Sequence, residues 1–157
     1  MKIYIENVEK TIRLGEMLGR MLKSKDIICL DGDLGAGKTH FSKGVALGLE
    51  IEEDITSPTF TIVQEYEGRL PLYHFDTYRI AHSEEMYNIG FDDYLNKEGV
   101  IIIEWSKLIE AVLPEDRIDI EISYAPEGGR YFEFVAHGQR HELLLEELKQ
   151  EIEKNKI

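Results

Sequence analysis

The segment from Ile27 to His40, with the sequence I-I-C-L-D-G-D-L-G-A-G-K-T-H, restricts the possible fold more than any other part of the chain. Its second part, Gly32–Thr39, matches the pattern G-x-x-x-x-G-K-[ST] without a mismatch and is called the glycine-rich loop below. The apolar run before the loop, Asp26–Leu30, is typical of a buried parallel strand. After the loop, apolar residues recur near helical spacing and predict a helix that begins at the lysine. A strand, this loop and a helix, in that order, predict a phosphate-binding loop.

The chemistry expected of such a loop is the binding of ATP with Mg²⁺. Glycines lack a β-carbon, so the backbone can adopt positive φ angles and bring its amides close to a phosphate chain. The start of the helix adds unpaired N–H groups and a partial positive charge. Lys38 is expected to reach the β and γ phosphates, and the Thr39 hydroxyl is expected to bind Mg²⁺. The nucleotide contacts predicted within the loop are Gly35, Ala36, Gly37, Lys38 and Thr39.

Composition indicates an ordinary globular protein. The 157 residues suit a single domain, residues 1–157, with 43% hydrophobic and 31% charged residues. No apolar run is long enough to span a membrane, and the N-terminus lacks the apolar region of a signal peptide. Cys29, the single cysteine, cannot form an internal disulfide, which favours a reducing compartment. We therefore expect a cytoplasmic protein without membrane partners.

The net charge of −13 is unevenly distributed along the chain. Glu50–Asp93 holds eleven acidic residues and two arginines, so this segment alone carries a charge of −9. Such a surface would repel a phosphate backbone. We therefore expect no direct, high-affinity binding of tRNA or DNA by this chain alone. The acidic surface suits either solubility or a basic partner protein.

Hydrophobic periodicity predicts an α/β fold. Two widely separated apolar strands with helices between them indicate one P-loop NTPase-like domain, with a central mixed, mostly parallel sheet flanked by helices. Alternating segments joined by turns add antiparallel hairpins. The predicted strands are Lys2–Glu6, Thr61–Tyr66, Leu70–Phe75, Val100–Ile103, Arg117–Ser123 and Tyr131–Val135, and the further helices are Asn7–Lys23, with Asn7 as its cap, Ser83–Ile89, with Ser83 as its cap, and Glu142–Lys154.

Polar residues that follow predicted strands complete the candidate site. Glu104 follows four apolar residues and can bind Mg²⁺ directly or through water. Asp76 lies just past another strand and can orient or activate the attacking water or hold a metal-bound water, although a surface pair with Arg79 would also explain it. Ser57 and Thr59 lie where related hydrolases sense the γ-phosphate, although the segment also suits an ordinary turn.

The histidines do not indicate a zinc site. His137 and His141 are four residues apart, but Gly138 lies between them and weakens a helical metal-binding pair. The other three histidines are scattered along the chain.

Taken together, the motifs resemble those of the bacterial TsaE (YjeE) family, the ATPases of tRNA threonylcarbamoyladenosine biosynthesis. The similar segments are, in order, G-D-L-G-A-G-K-T, T-S-P-T-F, H-F-D-T-Y-R, I-I-I-E-W and a late G-G-R. The resemblance extends from Val8 to Arg130. It implies a compact ATPase that works with TsaB and TsaD, a complex that transfers a threonylcarbamoyl group to the adenosine beside the anticodon of certain tRNAs.

The resemblance also implies roles for individual residues. Thr39 and Glu104 are implied as Mg²⁺ ligands, and Asp76 as a residue needed for turnover together with Lys38 and Glu104. Trp105 is implied as a functional neighbour of Glu104. Together with Ser57 and Thr59, it is expected to have a switch-like role. The family commonly has a threonine at the position of His40, so any contact there is expected from the backbone amide. Further nucleotide contacts are implied at Val8, Thr11, His40, Lys107 and Arg130.

Four functions remain open from the sequence. The favoured one is an ATPase that is weak alone and is activated by its partner complex. A small-molecule kinase is disfavoured because no arginine cluster suggests a lid over the transferred phosphate. A GTPase is disfavoured because Asn96–Gly99 begins like the guanine-reading N-K-x-D but lacks the final carboxylate, and Asp76–Arg79 lacks the glycine of D-x-x-G. The fourth function is a nucleotide-dependent assembly factor that does not require turnover, and the sequence does not distinguish it from the ATPase.

Overall fold

The computed structural model describes residues 1–56, 58 and 62–157. They form one α/β domain in which a seven-stranded mixed sheet carries helices on both faces. The strands are β1 (Lys2–Ile5), β2 (Ile27–Gly32), β3 (Val63–Tyr66), β4 (Leu72–Asp76), β5 (Val100–Glu104), β6 (Arg117–Tyr124) and β7 (Arg130–His137). The helices are α1 (Val8–Met21), α2 (Lys38–Gly48), α3 (Glu85–Asn88), α4 (Phe91–Leu95) and α5 (Gln139–Asn155), with a 3-10 helix at Ser106–Val112.

The strand order places the glycine-rich loop at the centre of the sheet. The order is β1-β7-β6-β2-β5-β4-β3, in which β6, β2, β5 and β4 run parallel and the outer pairs are antiparallel. This arrangement confirms the predicted mixed sheet with antiparallel hairpins. Because parallel strands end at the same edge, the loop after β2 lies beside the ends of β5 and β4, where ligands collect in such folds.

Two hydrophobic cores lie on opposite faces of the sheet. Successive side chains of a strand point to opposite faces, and in β2 Ile28 packs into one core while Cys29 packs into the other. The first core is closed by α1, α2 and α5. The second is smaller and is closed by α3, α4 and the 3-10 helix. Burial on both faces explains why the central strands are continuous apolar runs.

Glycines allow α1 and α2 to pack with their backbones in contact. A β-carbon added at Gly44 would lie 2.2 Å from the Ile12 carbonyl oxygen, and one at Gly15 would lie 2.4 Å from that of Phe41. Gly48 is equally close to the backbone of α1. The close contact holds the start of α1 beside the start of α2, next to the glycine-rich loop.

Several element boundaries differ from those predicted. Asn7 is confirmed as the cap of α1, since its side chain accepts a hydrogen bond from the Lys10 N–H at 2.9 Å. The prediction of Ser83 as a cap was wrong, because α3 begins after Glu84 and has no side-chain cap. α5 begins at Gln139, before the predicted Glu142, and its N-cap residue is Gly138 with a φ angle of +88°. The short α4 and the 3-10 helix were not predicted.

No helix in the described part of the chain is both long and apolar enough to cross a membrane.

Candidate functional site

The glycine-rich loop joins β2 to α2 as the sequence predicted. Gly32 ends β2 so close to β6 that an added β-carbon would lie 2.5 Å from the Ile122 carbonyl oxygen. Gly35 and Gly37 have φ angles of +78° and +119°, which residues with a β-carbon rarely adopt. α2 then begins at Lys38, with Gly37 as its cap. The tight turn therefore depends on glycine at these three positions.

Lys38 is buried and folded back onto the loop. Its Nζ donates to the carbonyl oxygens of Gly32 and Asp33, the latter at 3.0 Å. The same atom lies 4.1 Å from the centroid of the Trp105 ring. Burial lowers the pKa of Lys38, and nearby carboxylates, Glu104 first among them, oppose the shift. The amine is thus held by weak backbone acceptors and an aromatic ring at the place where an anion would bind.

Two acidic side chains meet at the ends of neighbouring parallel strands. Asp76 ends β4 and Glu104 ends β5, and the two residues are paired in register. Glu104 is only 2% exposed, and its Oε2 lies 2.5 Å from His74 Nε2. Asp76 is half-buried and accepts a hydrogen bond from the Tyr78 N–H at 3.0 Å. Burial raises the pKa of the Asp76 carboxyl, a hydrogen bond from Tyr78 opposes this, and Glu104 adds to it.

A cavity of about 380 Å³ brings together the predicted catalytic and metal-binding residues. It is lined by Lys38, Thr39, Asp76, Glu104 and Trp105, together with Leu34, Gly35, Gly37 and His40. A hydroxyl and two carboxylates are oxygen donors of the kind that Mg²⁺ prefers. Within the described residues, no group of three or more His, Cys, Asp and Glu side chains could hold a metal ion. An ion here would therefore need oxygen atoms from a ligand or from water, as is usual for Mg²⁺ bound with phosphates.

A smaller cavity of about 160 Å³ adjoins the first on the other side of the loop. Val8 and Thr11 from the start of α1 line it, together with Arg130 from the start of β7. Gly35, Gly37 and His40 line both cavities. The structure therefore brings most of the predicted nucleotide contacts to one continuous surface around the loop.

Lys107 is not brought to either cavity. Its Nζ pairs with Glu121 at 2.9 Å, and its backbone N–H donates to Asp31. A nucleotide contact from Lys107 stays a prediction that this geometry does not favour. Ser57 and Thr59 lie outside the described residues, so their switch-like role also stays a prediction.

Trp105 lies at the centre of the site in a strained backbone conformation. Its φ angle is +63°, its N–H donates to the Leu30 carbonyl at 3.0 Å, and its ring packs on Tyr78 at 4.8 Å between centroids. A positive φ at a bulky residue is uncommon and often occurs at functional positions.

Two site residues were missed by the sequence reasoning. His74 is buried against Glu104, and its position two residues before Asp76 on an alternating strand was an available signal. Tyr124 donates to the Leu34 carbonyl in the glycine-rich loop at 3.0 Å, and nothing in the local sequence pattern indicated this contact.

Comparisons with known proteins identify a matching family. The model of the family described as "Threonylcarbamoyl adenosine biosynthesis protein TsaE" matches residues 5–132. A TsaE from Bacillus subtilis is 46% identical over 143 residues, covering 90% of this chain and 89% of the relative. One from Treponema pallidum is 42% identical over 130 residues, covering 83% and 96%.

A solved structure is also similar. The crystal structure of YdiB from Bacillus subtilis superposes with a TM-score of 0.81 at 41% identity, covering 96% of this chain and 95% of that one. On the profile match, the two relatives and the shared fold, the chain belongs to the TsaE family of tRNA threonylcarbamoyladenosine biosynthesis.

Proposed function

We propose that this chain is the Mg²⁺-dependent, ATP-binding and ATP-hydrolysing component of the tRNA N6-threonylcarbamoyladenosine machinery. The observation that carries the proposal is the convergence of Lys38, Thr39, Asp76 and Glu104 on one cavity beside the glycine-rich loop. This set holds one group for each task in phosphoryl transfer to water: a cation for the phosphates, oxygen ligands for Mg²⁺ and a carboxylate for the water.

Each side chain has a defined role in this proposal. Lys38 exchanges the Gly32 and Asp33 carbonyls for phosphate oxygens, which are stronger acceptors. Thr39 and Glu104 would hold Mg²⁺, which would supply positive charge against the phosphoryl oxygens. Asp76 orients the attacking water and accepts its proton, a task helped by the upward shift of its pKa.

Slow turnover by the chain alone is expected from the side chains around the large cavity. Among the described residues that line it, none is an arginine that could neutralise charge developing in the transition state. Such an arginine contributes about 10³–10⁵ in rate in related systems. We propose that the TsaB–TsaD complex activates hydrolysis and holds the tRNA, since the net charge of −13 disfavours direct RNA binding.

The test measures ATP binding by calorimetry and ATP hydrolysis with and without purified TsaB–TsaD. We expect Mg²⁺-dependent binding and a faster rate with the partners. Lys38→Ala should abolish binding, whereas Lys43→Ala, which changes a partly exposed lysine of the same helix outside both cavities, should bind normally. Absence of binding with and without the partners would refute the nucleotide assignment, and equal rates would refute activation.

A single variant distinguishes a role in assembly without ATP turnover from the proposed ATPase function. Asp76→Ala is expected to bind ATP and the partners but not to hydrolyse ATP. If tRNA modification with this variant is complete, hydrolysis is not required and the chain acts as an assembly factor. If modification fails, turnover is part of the function.

A further inference from the structure

Two side chains of the β6–β7 hairpin hold three successive carbonyl groups of the glycine-rich loop. The Tyr124 hydroxyl donates to the Leu34 carbonyl at 3.0 Å. The Arg130 guanidinium donates through Nε to the Ala36 carbonyl at 2.9 Å and through a terminal nitrogen to that of Gly35 at 3.4 Å. In the strand order, the hairpin lies on one side of β2, and β5 and β4, which end in Glu104 and Asp76, lie on the other side.

The two side chains also hold each other. Tyr124 is the last residue of β6 and Arg130 the first of β7, and they face one another across the antiparallel ladder. The central carbon of the guanidinium lies 4.3 Å from the centroid of the Tyr124 ring. A planar cation stacked on a ring loses little further freedom when it donates hydrogen bonds. We call these two residues the Tyr124–Arg130 pair.

Holding a carbonyl group also fixes the amide that follows it. In a planar trans peptide unit the C=O and the next N–H point in opposite directions, and the peptide bonds of the loop are trans. The Leu34 carbonyl shares its peptide plane with the Gly35 N–H, and the Ala36 carbonyl shares its plane with the Gly37 N–H. When the two carbonyls face the hairpin, the amides of Gly35 and Gly37 face away from it.

These two amides suit anion binding better than the one between them. The Ala36 N–H is already donated to the Asp33 carbonyl at 3.0 Å. Gly35 and Gly37 line both cavities and have positive φ angles. Because glycine lacks a β-carbon, no side chain blocks the approach of a ligand to their backbone.

We propose that the Tyr124–Arg130 pair orients the glycine-rich loop so that the Gly35 and Gly37 amides are directed at the phosphates before the nucleotide arrives. The inference rests on the proposed nucleotide binding. It makes Tyr124 a positioning residue. It also changes the expected role of Arg130, whose Nε and terminal nitrogens donate to Ala36, Gly35 and Gly129, so that Arg130 acts through the loop rather than on the nucleotide.

The first test removes one hydroxyl. Tyr124→Phe keeps the ring that Arg130 stacks on, and a single neutral hydrogen bond corresponds to a factor of about five in affinity. We expect ATP and ADP to bind about fivefold more weakly, and the unfolding midpoint to fall no further than in the control variant. Tyr94→Phe is the control, because it also removes one tyrosine hydroxyl bond, here to the Glu65 carboxylate at 3.0 Å, outside both cavities.

The second test needs no nucleotide. Amide hydrogen exchange in the free protein is expected to be faster in Tyr124→Phe than in the wild type at Ala36, whose N–H donates to the Asp33 carbonyl within the loop at 3.0 Å, and unchanged in Tyr94→Phe. A purely structural role of Tyr124 would instead alter exchange throughout β6 and β7. Equal exchange at Ala36 in wild type and Tyr124→Phe would refute the proposal even if ATP binding itself fails.

The third test separates the loop-mediated role of Arg130 from a direct phosphate contact. If both residues act through the loop, the Tyr124→Phe/Arg130→Gln double variant loses less affinity than the product of the two single losses. If Arg130 binds phosphate directly, the two losses multiply, and the loss in Arg130→Gln shrinks with added salt. If the wild type binds ATP and Tyr124→Phe binds it with the same affinity, the orienting role of the Tyr124–Arg130 pair is refuted. If the wild type does not bind ATP, the proposed function is refuted.

Discussion

The imidazole Nε2 of His74 lies 2.5 Å from Oε2 of Glu104, and both side chains are almost completely excluded from solvent. An ionised carboxylate only accepts hydrogen bonds, so the imidazole donates through Nε2. The contact fixes the carboxylate that we propose as an Mg²⁺ ligand. Outer partners of this kind commonly orient metal ligands.

Removal of the imidazole is expected to destabilise the protein. In His74→Leu the buried Glu104 oxygen loses its donor, which should lower the free energy of unfolding by about 1–3 kcal/mol. His74→Gln can place an amide N–H near the position of Nε2 and should restore part of this loss. Urea unfolding measures the difference, with the exposed His82→Gln as the control. Wild-type stability of His74→Leu would contradict the expectation.

The glycine contacts between α1 and α2 predict a second stability effect. In Gly44→Ala the new β-carbon would lie 2.2 Å from the Ile12 carbonyl oxygen, so the helices must move apart. We expect a loss of about 1–3 kcal/mol from overpacking, although alanine is favoured in an isolated helix by about 1 kcal/mol. Arg13→Ala, on the exposed side of α1, should stay within about 0.5 kcal/mol of the wild type. A stabilised Gly44→Ala in thermal unfolding would show that the backbones are not in contact.

Asp76 is expected to lower the stability of the folded chain at neutral pH, although hydrolysis depends on it. Because its folded-state pKa is raised above the ordinary 3.8, the folded chain binds this proton more tightly than the unfolded chain does. The stability linked to protonation is fully present below pH 3.8 and is lost as the pH rises through the raised value. Asp76→Asn should therefore raise the melting temperature at neutral pH, and the gain should shrink as the pH falls toward about 4.

The activity of Asp76→Asn should change in the opposite direction. The amide keeps an oxygen for the Tyr78 N–H but is a poor base, so hydrolysis should fall about 10²–10⁴-fold while ATP affinity stays near the wild type. The exposed Asp54→Asn should alter neither stability nor rate at any pH. A pH-independent gain in stability, or normal hydrolysis, would contradict this account.

The position of Lys38 over Trp105 predicts an optical signal for nucleotide binding. Trp105 is the single tryptophan, and Lys38 Nζ lies 4.1 Å from its ring centroid. If phosphate draws the amine away, the emission of Trp105 should change on addition of MgATP. Adenosine, which lacks phosphates, should leave the emission unchanged, and so should MgATP added to Lys38→Met. Calorimetric saturation with unaltered emission would show that Lys38 does not move.

Much of the fold could be predicted because it depends on neighbours along the chain. The apolar run of β2 and the glycines that follow it predicted a strand, a turn and a helix at Lys38, and all three are present. Asn7 lies three residues from the N–H that it caps. The acidic residues at the ends of β4 and β5 could be placed at one edge because parallel strands end on the same side of a sheet.

The contacts that shape the site could not be predicted in this way. His74 and Glu104 are 30 positions apart, and Arg130 and Ala36 are 94 positions apart. Such pairs depend on the order β7-β6-β2-β5-β4, which local periodicity does not encode. The nucleotide contact of Lys107 was implied by the family resemblance and stays a prediction; the structure pairs the Lys107 side chain with Glu121.

The sequence by itself determined which residues are candidates for the chemistry, because loop conformation, strand alternation and helix starts are set by steric and hydrogen-bonding preferences within a few residues. Only the tertiary structure decided which of these groups meet, since strand order and helix packing are set by burial of the two cores. Those cores bring Tyr124, His74 and the glycines of α1 and α2 into contact with segments distant along the chain.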